Sequence, residues 1–241
     1  MRTLADLEVA GSAASASGFA EKLGLWVSFT DAIALSALHS QAPASAQAKP
    51  LARRSVKGAD LDDELERVRA GLVNLITQRG ALAGGKAVIK LPEPPDTVPV
   101  GAAAFEPYRR FYAAHQREME ASIGTLRVRM RAALAPVSPP LQQLVALDAA
   151  LDRILCEREG KLLAKVASLL QKRFMHLYRT HQQAFQDDGS TDQPALWMKS
   201  GGWRARFCHE MQTVLLAELD LRLQPTLGLL EAYKNETQST I

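Results

Sequence analysis

Five histidines and two cysteines are the residues of this sequence best suited to bind a metal or carry a proton near neutral pH: His39, His115, His176, His181, His209, Cys156 and Cys208. Their spacing argues against both uses. There is no CxxC or HExxH, and the adjacent Cys208 and His209 would point about 100° apart on a helix, too far to share one ion. A cysteine–histidine nucleophile pair assembles in space rather than in sequence, so spacing singles none out. Packing and surface roles are the plainer reading, since a free cysteine usually behaves as a small buried hydrophobe. Glu157 with Glu159, and Glu218 with Asp220, have the look of paired carboxylates. Residues two apart face about 200° away from each other on a helix, however, and cannot share a proton. The glycine pairs beginning at Gly84 and Gly201 lack the Lys-Ser/Thr that completes a phosphate loop and read as linkers. No catalytic residue, metal or cofactor is expected from these motifs, and the chain is expected not to be an enzyme.

Two charged features are better specified. Glu218 and Arg222, four apart on the apolar stripe of the last helix, read as an ion pair at the rim of a packed interface or as a buried contact that fixes register. Arg158, Lys161, Lys165, Lys172, His176 and Arg179 fall within about 60° of helical arc, opposite Leu162, Val166, Leu170 and Leu177. No acid lies between Gly160 and Gln186. Such a face, roughly 30 Å long, suits phosphates or an acidic protein surface, although a charge run also serves simply to keep a helix solvated. Nucleic-acid binding is the weaker option, because no turn-helix reading motif or stacking aromatic lies nearby.

The element that must carry this face runs from Leu141 to Gln186. Ser138 supplies an N-cap and Pro139 a first-turn residue preset for helix. Leu144, Leu147, Leu151, Leu155, Leu162, Val166, Leu169, Leu170 and Leu177 then recur at steps of three and four, with only Gly160 weakening the pattern. A helix of that length would extend roughly 68 Å. A second long helix, from Pro107 to Leu134, carries the stripe Phe105, Tyr108, Tyr112, His115, Met119, Ile123, Leu126 and Met130. The short connection PVSPP predicts that the two fold back on each other as an antiparallel hairpin.

Around the hairpin the chain divides as follows. Residues 1–40 form a small helical block with helices at 18–27 and 29–39, Ser28 and Asp31 being spaced as a capping box. Its apolar residues, Trp26, Phe29, Ile33, Leu35 and Leu38, are too few to fold alone and should dock elsewhere. Residues 41–59, with Lys49, Arg53, Arg54 and Lys57 and no acid before Gly58, read as a flexible basic linker. Residues 60–241 form the bundle domain, interrupted by a Pro/Gly-rich loop at 81–101. Its first helix, from Asp60 to Gly80, packs through Leu61, Leu65, Val68, Leu72 and Leu75. Its last, from Trp203, packs through Phe207, Met211, Val214, Leu215 and Leu219 and ends at Pro225. Leu219, Leu221 and Leu223 alternate as in a strand, but no second strand is available to pair with them.

Composition supports this outline. An apolar fraction of 47% with only 6% aromatics favours helix-on-helix packing, and the net charge of +3 on 29 basic and 26 acidic residues is too small to name a partner. No window approaches a membrane span, and Asp6 and Glu8 make the N-terminus a poor signal peptide. Two cysteines with no paired spacing fit a reducing compartment, so the expected location is cytoplasmic.

The strings LGLWVSFTDAIALSALHS, FEPYRRFYAAHQREMEASIGTLRVRMR and RFCHEMQTVLLAELDLRLQPTLGLLEAY resemble a proteobacterial family of uncharacterised proteins, domain of unknown function 3348, from about Leu23 to Tyr233. That resemblance lends no catalytic residues. It implies a cytoplasmic accessory of an envelope-linked assembly, with an ion-driven membrane motor as one form of it. The expected fold is therefore all-α: a helical bundle built on a long antiparallel hairpin, with an N-terminal helical block and two flexible linkers. The expected role is a non-enzymatic scaffold meeting protein partners or another copy of itself. A nucleic-acid-binding accessory using the basic helix face is the alternative.

Overall fold

The computed structural model describes residues 27–40, 58–77, 89, 91–92, 101–188 and 194–239. The helix expected at 18–27 (apart from Val27), most of the basic linker, most of the 81–101 loop and the polar turn at 189–193 lie outside the described residues. The described chain is all-α, with five helices and no strand: α1 (Phe29–Ser40), α2 (Gly58–Thr77), α3 (Glu106–Leu134), α4 (Pro139–Asp188) and α5 (Trp203–Ser239). Short 3-10 turns at Gly101–Phe105 and Pro194–Leu196 precede α3 and α5. None of these helices is long and apolar enough to cross a membrane.

Local chemistry accounts for the helix starts. Ser28 and Asp31 form a reciprocal capping box, the Asp31 amide donating to Ser28 Oγ and the Ser28 amide to Asp31 Oδ2, both at 3.1 Å. At α4 the Leu141 amide donates to Ser138 Oγ at 3.4 Å, so the serine before the two prolines caps the helix. α4 then runs unbroken for 50 residues, and Gly160 does not interrupt it. One element departs from expectation. α5 continues through Pro225 instead of ending there. The carbonyl that Pro225 leaves unpaired belongs to Leu221; both residues are exposed, so water can reach that carbonyl while buried Leu223, Leu229, Leu230 and Tyr233 hold the helix on its other side.

The chain packs as two compact units. Among the described residues the first takes in 71–77, 101–120, 163–188 and 194–221, and the second 27–40, 58–70, 121–162 and 222–239.

The first unit has an aromatic core centred on Phe174, whose ring lies 5.8 Å from Phe105, 5.4 Å from Tyr108, 5.2 Å from Trp203 and 5.1 Å from Phe207. Phe105 and Tyr108 meet Phe174, while farther along α3 the Gln116 amide reaches the Leu163 carbonyl at 3.5 Å, so partners on α4 fall in number as those on α3 rise. Gln212 on α5 donates to the Ile76 carbonyl at 3.0 Å, satisfying the C-terminal end of α2.

In the second unit Leu61, Leu65, Ile123, Leu126, Met130, Leu134, Leu141 and Ala150 are buried. Arg127 and Arg131 on α3 share Asp148 and Asp152 on α4 in four ion pairs of 2.5–2.8 Å. Gln143 donates to the Leu38 and His39 carbonyls at 3.3 and 2.8 Å, tying the end of α1 to α4. α1 nevertheless buries none of its residues, and Phe29 and Ile33 stand exposed.

Every stripe residue read on α3, from Phe105 to Met130, is buried. The stripe on α4 is less uniform: Val166, Leu170 and Leu177 are buried, Leu144 to Leu155 are half-buried and Leu162 is exposed. On α2 Ile76, rather than Leu75, is the fully buried residue of the last turn.

Candidate functional site

In the first unit α4 turns Val166, Leu170, Phe174 and Leu177 inward and Lys165, Lys172, His176 and Arg179 outward, as a period of 3.6 residues requires. These four exposed groups extend along about 21 Å of helix. Among the described residues none of them takes part in an ion pair. Gln171, Lys172, Met175, His176 and Arg179 line a depression of about 350 Å³. All five belong to one helix, so the feature is a surface dent beside a row of cations rather than an enclosed active site.

The other two members of the expected stripe behave differently. Arg158 and Lys161 are exposed in the second unit close to Glu157 and Glu159 in the chain, and Lys161 Nζ donates to Glu157 Oε1 at 2.6 Å. That bond holds the Glu157 carboxyl below its ordinary pKa. Glu159 in turn pairs with Arg222 at 3.5 Å.

Two further cations near the first-unit face are paired with an acid. Arg173, one residue from Lys172, donates from Nε and Nη2 to Glu210 at 2.7 Å each, and Arg206 donates to the same carboxyl at 3.0 Å. Burial pushes Glu210 up, but the two guanidiniums outweigh it and its pKa lies below the ordinary carboxylate value. The face is thus a row of cations without ion-pair partners among the described residues, bordering two arginines that share one carboxylate.

The unit interior holds three polar features. Glu218, 4% exposed, accepts the Tyr112 hydroxyl at 2.5 Å and the Gln116 amide at 3.1 Å. Of the two readings of Glu218, this geometry matches the buried polar contact, with Tyr112 and Gln116 of α3 as partners. His115, 1% exposed, packs on Phe111 at 4.4 Å with neither ring nitrogen hydrogen-bonded. Burial depresses its pKa to about 4, with Glu118 opposing weakly. Arg204, 2% exposed, lies among the rings of Trp197, Trp203 and Tyr108, its guanidinium carbon 5.2, 5.6 and 5.8 Å from their centroids.

Arg204 and Trp197 were not singled out from the sequence. The legible signal was that Arg204 precedes Phe207, Cys208, Met211 and Leu215 at helical spacing, which puts a charge in line with an apolar stripe. Of the two cysteines, Cys208 is buried as expected for a small hydrophobe, whereas Cys156 is exposed. His209 is exposed beside buried Cys208, consistent with the divergence of adjacent residues on a helix. Among the described residues no group of three His, Cys, Asp or Glu side chains is placed to hold a metal ion.

Comparison with known proteins adds a family and nothing beyond it. No curated protein and no solved structure matches the chain. A family model matches residues 1–235, and the chain belongs to the family it describes, Protein of unknown function (DUF3348).

Proposed function

We propose that this protein is a non-enzymatic helical interaction protein that docks an acidic protein surface through Lys165, Lys172, His176 and Arg179. The observation that carries this reading is the row of exposed cations without ion-pair partners among the described residues, on a helix whose neighbouring Arg173 is paired with Glu210. The opposed order of contacts between α3 and α4 within the first unit supports the antiparallel hairpin as the scaffold beneath that face. The resemblance drawn from the sequence makes the partner a component of an envelope-linked assembly on its cytoplasmic side, with self-association through the same helices as a further form. Charge reversal at Lys165, Lys172 and Arg179 is expected to abolish partner capture while leaving helicity unchanged.

The same cations support a second reading, a nucleic-acid accessory to which Arg53 and Arg54, outside the described residues, contribute further positive charge. It requires retention of DNA or RNA that falls steeply with salt and is lost when Lys161, Lys165 and Lys172 become Glu. Retention of nucleic acid without any protein partner would replace the first reading by the second.

A further inference from the structure

Arg204 sits at the start of α5 in a place where every neighbouring unsatisfied group is a donor. Its Nε and Nη1, the Trp203 indole Nε1 and the Tyr108 hydroxyl are all buried without a hydrogen-bond partner. The three rings around the guanidinium satisfy its charge in part, since a cation over an aromatic face gains roughly 0.5–2 kcal/mol. They offer no lone pairs for its N–H groups. Arginine remains protonated in proteins, and a buried cation without an acceptor is costly unless an anion joins it. The polar neighbour of Tyr108 is the Cys208 thiol, a weak acceptor.

We propose that this cluster is a binding site for a compact oxyanion, a carboxylate or phosphate group, held by Arg204, Trp203 Nε1 and Tyr108 Oη. Arginine presents its donors in a planar fork that suits either group. Trp197 is the cover. It packs 5.5 Å from Trp203 and 5.2 Å from the guanidinium, on the turn that joins the 3-10 segment Pro194–Leu196 to α5. That turn is closed by short-range bonds, Trp197 N to the Pro194 carbonyl and Gly202 N to the Lys199 carbonyl, and is pinned to α5 by Ala205 N donating to the Trp197 carbonyl at 3.0 Å. Admission of the anion requires Trp197 to swing outward, which breaks this local set together with its ring contacts to His181, Trp203 and Arg204. The site is separate from the α4 face and stands or falls independently of it.

Two of the three tryptophans of the chain lie in the cluster, so intrinsic fluorescence reports on it directly. The full chain is titrated with sodium phosphate and, separately, sodium acetate at constant ionic strength against chloride. A saturable change in emission at millimolar anion, accompanied by a rise in Tm, is the expected result. The arm that responds identifies phosphate, carboxylate or both as the ligand chemistry. Arg204→Met should remove the response, and Trp203→Phe, which keeps a ring but deletes the donor, should weaken affinity roughly threefold to tenfold. Should Arg204→Met fail to fold, the Trp203→Phe titration decides. No saturable response to either anion, or one undiminished in Trp203→Phe, overturns the proposal.

Discussion

The Tyr112 hydroxyl donates a 2.5 Å hydrogen bond to the Glu218 carboxyl, joining α3 to α5 across 106 positions of sequence inside the first unit. Gln116, one turn farther along α3, donates to the same carboxyl at 3.1 Å. A buried acid served by two donors from one helix fixes the register of another, because a shift by one residue would leave its oxygens without partners. Tyr112→Phe is therefore expected to lower unfolding free energy by about 1–2 kcal/mol in urea, with the helical signal unchanged. A change below the error of the measurement would show that Glu218 is satisfied without Tyr112.

His115 makes stability depend on pH. Its folded pKa of about 4 lies below the ordinary histidine value of 6.5, so the native state resists a proton that the unfolded chain accepts. The resulting stability is fully present above about pH 6.5, declines as pH falls toward 4, and amounts to about 3 kcal/mol at most. His115→Leu should remove this slope from denaturation curves recorded between pH 7 and pH 4. The difference between wild type and variant isolates the histidine from carboxylates that titrate in the same range, Glu210 among them.

The arginine–aspartate quartet makes a parallel test in the second unit. Asp148, Arg127 and Arg131 are each at most 15% exposed, so the ion pairs are shielded from water and salt. Asp148→Ala leaves two guanidiniums facing one half-exposed Asp152 and should cost about 2–3 kcal/mol. Raising salt to molar levels should not reproduce that loss, whereas a purely superficial cluster would be screened to the same extent.

Gly201 and Gly202 set the approach to α5. Gly201 has φ +84°, a conformation that L side chains rarely adopt, and a Cβ on Gly202 would collide with the Trp197 carbonyl and lie 2.6 Å from the Leu196 carbonyl. Gly202→Ala should therefore lower Tm by several degrees and shift tryptophan emission to the red as Trp197 is displaced. Unaltered emission would mean that the turn yields without moving its tryptophan.

What the sequence made legible was whatever local spacing determines. The stripe from Phe105 to Met130 was readable because one helix face repeats every three or four residues, and Ser138 with its two following prolines marked a helix start by their own chemistry. Pro225 misled because a proline breaks a helix only where its neighbours cannot offset the missing bond, and the buried residues that follow it do so. The basic face was legible as an arc, but its division was not. Lys161 is matched by Glu157 and Glu159 is drawn to Arg222, 63 positions away along the chain, whereas Lys165, Lys172, His176 and Arg179 take part in no ion pair among the described residues. The aromatic cluster around Arg204 was hidden for a related reason: its members come from three helices and a turn, and no one of them has a pattern that names the others.

The central claim is that Lys165, Lys172 and Arg179 form a face for an acidic protein partner. The most direct measurement is a quantitative pull-down from a lysate of the source cell, comparing wild type with a Lys165→Glu, Lys172→Glu, Arg179→Glu variant of equal helicity, each with and without nuclease. The account predicts a nuclease-resistant protein partner, rich in surface acid, that wild type retains and the variant loses. Equal retention by both chains, or retention that disappears with nuclease, would contradict it.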